Sequence, residues 1–268
     1  MKSLTAIPEV KAKSVCEKHG EYEHRYMPMF NNKFMESSAC VKCIKEEEEA
    51  KRKADDERLK GQKAHAIADS KSWSGVSKRQ SRFKFSDLDS STEKQEKITS
   101  RVKRWCEEFQ DDKNKVPSMI MTGKVGTGKT LLASCAINHL IESNITRGES
   151  MYYAPLNRYK IIKLVDMVRM LKDTWRRDSD KSEIDLLRHL SKLDILVIDE
   201  VGMGFESDTE KMFVFDVIDG RYQNELPTIL ISNLNMEGIK NSIGDRAVDR
   251  LRDGGGILLG LDWESYRK

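Results

Sequence analysis

The segment GKVGTGKT, at positions 123–130, has the residue types and the spacing of a phosphate-binding loop. It follows an apolar stretch and precedes a helical pattern, so backbone N–H groups and the start of the helix can surround phosphate oxygens. Lys129 is expected to reach the β- and γ-phosphates, and Thr130 is expected to bind Mg²⁺. The predicted nucleotide-binding residues are Gly123, Lys124, Val125, Gly126, Thr127, Gly128, Lys129, Thr130 and Leu131.

Acidic residues end a second apolar stretch, LDILVIDE at 193–200. A buried parallel strand has such a continuous apolar run, and ligands bind where parallel strands end. Asp199 is expected to join the Mg²⁺ site, and Glu200 is expected to polarise the water that attacks the γ-phosphate. A third stretch of the same type, TILISN at 228–233, ends in Asn233, which either orients that water or simply terminates the strand.

Three cysteines and a histidine near the N-terminus have the spacing of a zinc site. Cys16 and His19 form one pair, Cys40 and Cys43 form the other, and two residues lie between the members of each pair. Such pairs provide four tetrahedral ligands for Zn²⁺. A segment this short cannot bury a sufficient core, and a structural metal would compensate for that deficit. His24 is an alternative fourth ligand.

Short apolar strands alternate with helical patterns along the C-terminal two thirds of the chain. The predicted strands are 118–122, 150–154, 195–199, 228–232 and 256–259, and the predicted helices are 131–141, 159–172, 208–222 and 244–252. This alternation is typical of βαβ units, in which helices cover both faces of a parallel sheet. The expected fold class is therefore α/β, and Asp199 and Glu200 are expected at a sheet edge where ligands bind.

Charged residues divide the part of the chain that precedes this sheet. Residues 45–69 carry both signs at helical spacing with almost no apolar stripe, which predicts a solvated helical spacer. Residues 71–104 hold ten Lys/Arg against four Asp/Glu, and Phe83 and Phe85 are spaced like a strand that docks onto the core. The predicted domains are a zinc-binding domain at 1–45, a charged helical spacer and basic linker at 46–92, and a nucleotide-binding domain at 93–268.

The composition excludes several classes of protein. No window of the 268 residues holds 18 consecutive apolar residues, so no membrane-spanning helix is expected. The N-terminus lacks the apolar core of a secretory signal. Five cysteines are too few for a disulfide scaffold, which predicts a reducing, cytoplasmic compartment, with Cys106 and Cys135 buried in helices. The net charge of +3, from 47 basic and 44 acidic residues, is weak evidence for a polyanionic partner.

From about residue 83 onward, the chain resembles the AAA+ ATPases of the DnaC/DnaI helicase-loader group, with the IstB-type transposition helpers as close relatives. The matching segments, in order, are GKVGTGKT, LDILVIDEVG, TILISNLN, GDRAVDRLRDGGG and the terminal WESYR. The resemblance implies a P-loop AAA+ core that hydrolyses ATP and lacks a helical lid. It also implies that Asn233 is the sensor-1 residue and that Arg267 is the second sensor arginine. Arg250 matches the arginine finger that reaches a neighbouring subunit's γ-phosphate, and Arg246, one helical turn earlier, is the alternative.

The same resemblance implies a protein that uses ATP to load a hexameric replicative helicase onto single-stranded DNA and that forms an ATP-dependent oligomer. The N-terminal zinc domain is expected to bind the helicase. Trp175, Arg176 and Arg177 are candidates for the DNA contact, because an aromatic ring stacks on bases and guanidinium groups bind phosphates. A basic helix end has the same pattern. Two other functions stay open: a transposase-assisting ATPase with the same core motifs, and a nucleotide-switched adaptor whose zinc domain binds duplex DNA.

Overall fold

The computed structural model describes residues 12–29, 33–147, 156–176, 180, 182–202 and 207–266 of the chain. The chain divides into two units, Met1–Gln62 and Lys63–Lys268. The boundaries predicted from the sequence lie at 45 and 92, so the second unit begins upstream of the predicted nucleotide-binding domain. Among the described residues, no helix has the length and apolar character needed to cross a membrane.

In the first unit, two antiparallel hairpins precede the start of a long helix. The hairpins pair β1 (Lys13–Cys16) with β2 (Gly20–Glu23), and β3 (Arg25–Met29) with β4 (Lys33–Ser37). Gly20 has a φ of +73° at the end of the first turn, a left-handed conformation that favours glycine. The helix α1 (Val41–Ser74) contains the helix predicted at 45–69, which is thereby confirmed.

A five-stranded parallel sheet forms the centre of the second unit, in the order β6-β7-β8-β5-β9. The strands are β5 (Met119–Thr122), β6 (Tyr159–Lys163), β7 (Ile195–Val201), β8 (Thr228–Ser232) and β9 (Ile257–Gly260). All five residues of β8 and the first five of β7 are buried, as expected for strands that are covered on both faces. The predicted α/β class with a parallel sheet is confirmed.

Helices cover both faces of the sheet because successive strand residues point to opposite sides. Met119 and Met121 belong to an apolar cluster with α2 and α3, whereas Ile120 between them belongs to a cluster with the later helices. The helices are α2 (Glu93–Asp111), α3 (Lys129–Arg147), α4 (Leu164–Asp173), α5 (Glu183–Lys192), α6 (Asp208–Gln223), α7 (Met236–Ile243) and α8 (Asp245–Arg252). The second unit therefore has a three-layer α/β/α core.

The helix predicted at 159–172 is wrong over its first five residues. These residues form β6, which pairs with β7 from Tyr159 opposite Ile195 to Lys163 opposite Asp199, and α4 follows without a connecting residue. The short run of apolar residues fits either period, and pairing with the buried β7 favours the strand. The strand predicted at 150–154 lies outside the described residues.

The strand expected around Phe83 and Phe85 is also wrong. Two 3₁₀ turns, Gln80–Arg82 and Phe85–Asp87, are found there. The Asn138 side chain on α3 donates hydrogen bonds to the carbonyls of Gln80 and Phe83, at 2.9 and 3.0 Å. These bonds satisfy carbonyls that a strand would have paired with a neighbouring strand. The segment therefore docks on α3 instead of joining the sheet.

A fully buried guanidinium connects three elements at the end of the sheet where β7 and β8 begin. Arg221 of α6 donates to the carbonyls of Leu190 and Leu193, at 2.8 and 2.7 Å, and to the Pro227 carbonyl at 2.6 Å. Its Nε donates to the Thr228 hydroxyl at 2.9 Å. Burial lowers the pKa of Arg221 to about 9, which is still above neutral pH, so the group keeps its charge. Arg221 thus joins the end of α5 to the starts of β7 and β8.

The cysteines outside the N-terminal cluster are core residues, as predicted. Cys106 in α2 and Cys135 in α3 have no exposed surface. Burial raises the pKa of both thiols, to about 12 for Cys135. Both side chains are therefore protonated at neutral pH and pack as small apolar groups.

Candidate functional site

The predicted phosphate loop joins β5 to α3. The backbone turns there through three glycines with positive φ, Gly123, Gly126 and Gly128. A Cβ atom at Gly123 would lie 2.1 Å from the Leu261 carbonyl oxygen, so no side chain fits at this position. The helix α3 begins at Lys129, and its first N–H groups have no partner within the helix. Strand, loop and helix therefore provide the arrangement in which backbone N–H groups bind phosphate.

Lys129 and Thr130 lie where the loop enters α3. The Lys129 ammonium is buried and donates to the carbonyls of Gly123 and Lys124, each 2.7 Å from Nζ. The Thr130 hydroxyl donates to Asp199 Oδ2 at 2.8 Å, although 69 residues separate the two in sequence. A hydroxyl beside a carboxylate provides the oxygen ligands that Mg²⁺ prefers. Thr130 and Asp199 could therefore hold the Mg²⁺ of a bound nucleotide.

The two acidic residues of β7 have different environments. Burial raises the pKa of Asp199 above its ordinary value, and hydrogen bonds from Thr130 and from the Glu200 backbone partly oppose that increase. Glu200 has a φ of +57°, a conformation that is uncommon for residues other than glycine. Its carboxylate lies 3.0 Å from Lys163 Nζ and is partly exposed. Such strained residues cluster at functional sites, and the exposed carboxylate of Glu200 is accessible to water.

A cavity of about 740 Å³ opens beside the phosphate loop. The residues that line it include the loop from Val125 to Leu131, both acidic residues and Asn233. Asn233 follows Ser232, the last residue of β8, so the parallel sheet places its side chain at the same edge as the loop. The structure thus brings together the nucleotide-site residues that the sequence predicted from Val125 to Asn233.

Two further segments line this cavity, and sequence analysis did not place Phe83, Leu88, Trp263 or Tyr266 at the nucleotide site. The upstream segment 77–99 contributes Phe83 and Leu88, and the tail 261–266 contributes Trp263 and Tyr266. The signals in the sequence were the spacing of Phe83 and Phe85, which predicted docking onto the core, and the terminal WESYR, which matched the helicase-loader group. Apolar walls beside a polar loop suit a ligand with a flat apolar part and a charged part, as a nucleotide has.

The candidate finger residues lie away from the phosphate loop of their own chain. Arg250 Nε donates to Asp219 Oδ1 at 2.8 Å, and its guanidinium lies 4.5 Å from the centre of the Tyr222 ring. Arg246 is exposed on the same helix, α8. Neither arginine lines the cavity beside the loop. Arg267 lies outside the described residues.

The four predicted zinc ligands come together in the first unit. The ligand atoms of Cys16, His19, Cys40 and Cys43 all lie within 4.8 Å of one another. Cys16 ends β1 and His19 lies in the following turn, while Cys40 precedes α1 and Cys43 lies in its first turn. The hairpin and the helix start thus direct three thiols and an imidazole to one point, which is a donor set typical of structural zinc.

The surroundings of this cluster agree with metal binding. His19 Nδ1 lies 3.4–3.7 Å from the three sulfur atoms, and its Nε2 lies 2.9 Å from the Glu46 carboxylate, a contact that orients metal-binding histidines. The Lys18 backbone N–H and the Cys43 thiol lower the pKa of Cys16 to about 6, which favours its thiolate, whereas the contact with Cys16 raises the pKa of Cys43 to about 12. His24, the alternative ligand, contacts Ser14 and Glu36 instead.

Trp175 and Arg176, two of the three predicted DNA-contact residues, follow α4. Trp175 is 57% exposed, its ring centre lies 5.3 Å from that of the buried Phe213, and its indole N–H donates to Glu183. Arg176 is exposed, with Nε 3.4 Å from Asp173. Arg177 lies outside the described residues. The Trp175 ring thus packs against Phe213, while part of its surface is exposed to solvent.

A family model described as IstB-like ATP binding protein matches residues 32–268. The chain belongs to this IstB-like family. The match includes the whole parallel sheet, the phosphate loop and both acidic residues of β7, together with Cys40 and Cys43 but not Cys16 and His19. Family membership therefore agrees with the P-loop geometry of the second unit.

Curated relatives of this IstB-like chain include replicative helicase loaders. It is 36% identical over 174 residues to the replicative helicase loader DnaC of Buchnera aphidicola subsp. Schizaphis graminum, a match that covers 65% of each chain. It is 37% identical over 168 residues to DnaC of Escherichia coli K12, which covers 63% of this chain and 62% of that one. The chain thus matches less than two thirds of the length of these relatives.

Solved structures support the AAA+ fold of the IstB-like chain. The crystal structure of the DnaC helicase loader aligns with a TM-score of 0.56 and 17% identity, over 69% of this chain and 99% of that chain. The crystal structure of DnaI aligns with a TM-score of 0.53 and 19% identity, over 72% and 95% of the two chains. At these identities the likeness concerns the fold alone, and it agrees with the expected P-loop core built on a parallel sheet.

The raised pKa of Asp199 predicts a pH dependence of stability. A carboxyl group with a higher pKa in the folded state stabilises the fold below its unfolded pKa and loses that contribution as the pH rises through the folded pKa. Without Mg²⁺ or nucleotide, wild type should therefore lose stability relative to Asp199→Asn as the pH rises from about 4 to 7. Urea unfolding followed by circular dichroism at several pH values measures this difference in the free energy of unfolding. Any effect of the asparagine that does not depend on pH shifts all values equally and leaves the change with pH unaltered.

Asp112→Asn is the matched control for this pH series. The contact with Lys115 lowers the pKa of the half-buried Asp112 carboxyl, so wild type should gain stability relative to this variant as the pH rises. The two variants should give slopes of opposite sign. A difference between wild type and Asp199→Asn that does not change with pH would contradict the assignment of a desolvated carboxylate.

Proposed function

We propose that this chain uses ATP to load a hexameric replicative helicase onto single-stranded DNA. The observation that carries the proposal is the identity of 36% to a replicative helicase loader over 174 residues, a stretch long enough for the whole nucleotide site. One edge of the sheet carries candidates for phosphate binding, Mg²⁺ binding and water activation, namely Lys129, Thr130, Asp199, Glu200 and Asn233.

In the proposed reaction, water attacks the γ-phosphorus of ATP and the bond to the β-phosphate oxygen breaks, which releases ADP and phosphate. Lys129 leaves the loop carbonyls and binds the β- and γ-phosphates. Thr130 and Asp199 would hold Mg²⁺, which would neutralise phosphate charge. Glu200 accepts the proton of the attacking water, and Asn233 orients that water. For Glu200 to act, its ion pair with Lys163 has to open or shift.

Arg250 acts in this proposal on the nucleotide of a neighbouring subunit. Its position away from the phosphate loop of its own chain supports a role between subunits rather than within one. The contacts with Asp219 and Tyr222 hold its guanidinium at the surface of α8, where a second copy of the chain can approach. Arg246 on the same helix is the alternative finger, and ATP-dependent self-association follows from either assignment.

Three variants separate nucleotide binding from hydrolysis. Lys129→Ala should abolish ATP binding, because it removes the cation for the β- and γ-phosphates. Glu200→Gln should bind ATP without hydrolysing it, and Arg250→Ala should bind ATP normally but lose about 10³–10⁵ in rate, the typical effect of an arginine finger. Mixing Glu200→Gln with Arg250→Ala should restore part of the activity, because one kind of interface regains an intact site and an intact finger.

Phosphate release and calorimetric ATP binding measure these effects. Arg246→Ala is the control for α8. If this variant loses more of the ATPase rate than Arg250→Ala does, Arg246 is the arginine finger. A site shared between subunits would be contradicted by two results together. The mixture would recover no activity, and the chain would stay monomeric in the presence of ATP and DNA.

The first unit is proposed to bind Zn²⁺ and, through this metal-stabilised module, the helicase. Wild type should contain about one zinc per chain, because the donor atoms of Cys16, His19, Cys40 and Cys43 lie within 4.8 Å of one another and match the four ligands of a structural zinc site. Cys40→Ser should lose the zinc and the capture of hexameric helicase by the immobilised full-length chain, since folding of small zinc modules depends on the metal. It should still bind ATP, because the nucleotide site lies in the other unit.

Cys135→Ser provides the same chemical change outside the cluster, and it should keep both zinc and helicase. Elemental analysis and pull-down with purified helicase measure the two effects. Wild type with far less than one zinc, purified without chelator, would contradict the metal assignment. Capture of a transposase in place of the helicase would favour the transposition-helper function, which the IstB-like family match also supports.

DNA binding is proposed to use the exposed Trp175 and Arg176. Binding to a single-stranded oligonucleotide should require ATP, weaken with salt and be indifferent to base sequence, because phosphate charge and stacking dominate such contacts. The double variant Trp175→Ala/Arg176→Ala should bind DNA more weakly, by about 1–3 kcal/mol for the lost ring, with unchanged ATP affinity.

Trp175→Phe retains a ring for stacking and is the matched control, so it should keep most of the affinity. Fluorescence anisotropy of a labelled oligonucleotide measures the binding. If wild type and the double variant bind the oligonucleotide equally well, these residues form a basic helix end that does not contact DNA.

A further inference from the structure

The chain that follows β9 lies directly on the phosphate loop. The Leu261 N–H donates to the Thr122 carbonyl at 2.7 Å, at the point where β5 ends. The Trp263 indole N–H donates to the Thr127 carbonyl at 3.1 Å. The Tyr266 backbone N–H donates to the Gly126 carbonyl at 3.0 Å. The tail from 261 to 266 therefore binds carbonyl groups inside the loop itself.

These contacts determine which way the loop amides point. In a planar trans peptide, the carbonyl of one residue and the N–H of the next point in opposite directions. A donor that holds the Gly126 carbonyl therefore directs the Thr127 N–H away from the tail, and a donor on the Thr127 carbonyl does the same for the Gly128 N–H. Glycine peptides rotate easily, so without such donors the loop could turn these N–H groups away from a phosphate.

The tail has its own anchor on α2. The Gln95 side chain is buried and donates to the Tyr266 hydroxyl at 2.6 Å. The same side chain accepts a hydrogen bond from the Thr92 N–H at 2.9 Å and so caps the start of α2. The Tyr266 ring lies beside Gly128, where an added Cβ atom would be 3.6 Å from it. The ring is thus fixed from the helix on one side and contacts the loop on the other.

The loop carbonyls are divided between two kinds of donor. Lys129 Nζ binds the carbonyls of Gly123 and Lys124, whereas the tail binds those of Gly126 and Thr127. If Lys129 moves to the phosphates of a bound nucleotide, its bonds to the loop are lost. The bonds from the tail do not have to break, so the tail can hold the second half of the loop while a nucleotide is bound.

We propose that Trp263 and Tyr266 are positioning residues that hold the phosphate loop with the N–H groups of Thr127 and Gly128 directed at the phosphates. This inference rests on the proposed ATP site and deepens it. The two residues act through the loop backbone, so their effect concerns the phosphate chain of the ligand. This role is distinct from a contact with the base, although Trp263 and Tyr266 both line the cavity.

Trp263→Phe tests this role because it keeps a ring and removes only the indole N–H. The full-length variant should bind ATP about fivefold more weakly, as expected for one lost hydrogen bond. The affinity of this variant for inorganic tripolyphosphate, which has no base, should fall by the same factor.

Tyr266→Phe, at an exposed position, removes the bond from Gln95, and its affinity for both ligands should fall about twofold. Calorimetric titration measures both ligands, and thermal melting checks that each variant is folded.

Trp105→Phe is the matched control. Trp105 donates its indole N–H to the Pro117 carbonyl at 2.9 Å, within the core and outside the phosphate loop. This variant should melt at a lower temperature but bind both ligands as wild type does. An equal loss of binding in Trp105→Phe would reduce the effect to general destabilisation and overturn the inference.

Two further outcomes distinguish the inference from the proposed function. The positioning role is overturned if Trp263→Phe and Tyr266→Phe bind both ligands as tightly as wild type does. It is also overturned if these variants lose affinity for ATP but not for tripolyphosphate. Either result leaves the ATP site intact. Failure of the wild-type chain to bind either ligand would overturn the ATP site itself, and the positioning role with it.

Discussion

Strand β5 is hydrogen-bonded to β8 on one side and to β9 on the other, with Thr122 opposite both Ser232 and Gly260. Because all three strands are parallel, the next residues of each emerge at the same edge. The phosphate loop, Asn233 and the tail that begins at Leu261 therefore start as neighbours. A slip of one residue would exchange the two faces of β5, so the apolar packing of its methionines also fixes the geometry of the loop.

The opposite end of the sheet depends on a buried charge. Removing the Arg221 guanidinium would leave buried carbonyl and hydroxyl acceptors without donors, and each unsatisfied group is costly. Guanidinium suits this position because one planar group can donate in several directions, which an ammonium or an apolar side chain cannot do. The starts of β7 and β8 are thus fixed relative to α6, and both strands extend from there to the acidic residues and Asn233.

The sequence was informative where chemistry requires a residue type at a fixed distance. This property is shared by the glycines and Lys129 of the phosphate loop, by the apolar run before Asp199, and by the paired cysteines and histidine of the predicted zinc site. Strand β6 was missed because its short apolar run fits helix and strand alike, and only the neighbouring β7 favours the strand. The contacts of Trp263 and Tyr266 with the phosphate loop were missed because they reach backbone carbonyls, which every residue has, so no complementary side chain marks them in the sequence.

The wall of the cavity formed by residues 77–89 lies before the first strand of the sheet in sequence, and its support lies earlier still. Lys71 near the end of α1 donates to the Ser81 carbonyl and to the Glu142 carboxylate, both at 2.7 Å. A fragment that began at residue 93 would keep every strand of the sheet but lose this wall. A cavity that keeps this wall and its support therefore requires the end of α1 as well as the sheet, so the part of the chain that forms the cavity begins no later than Lys71.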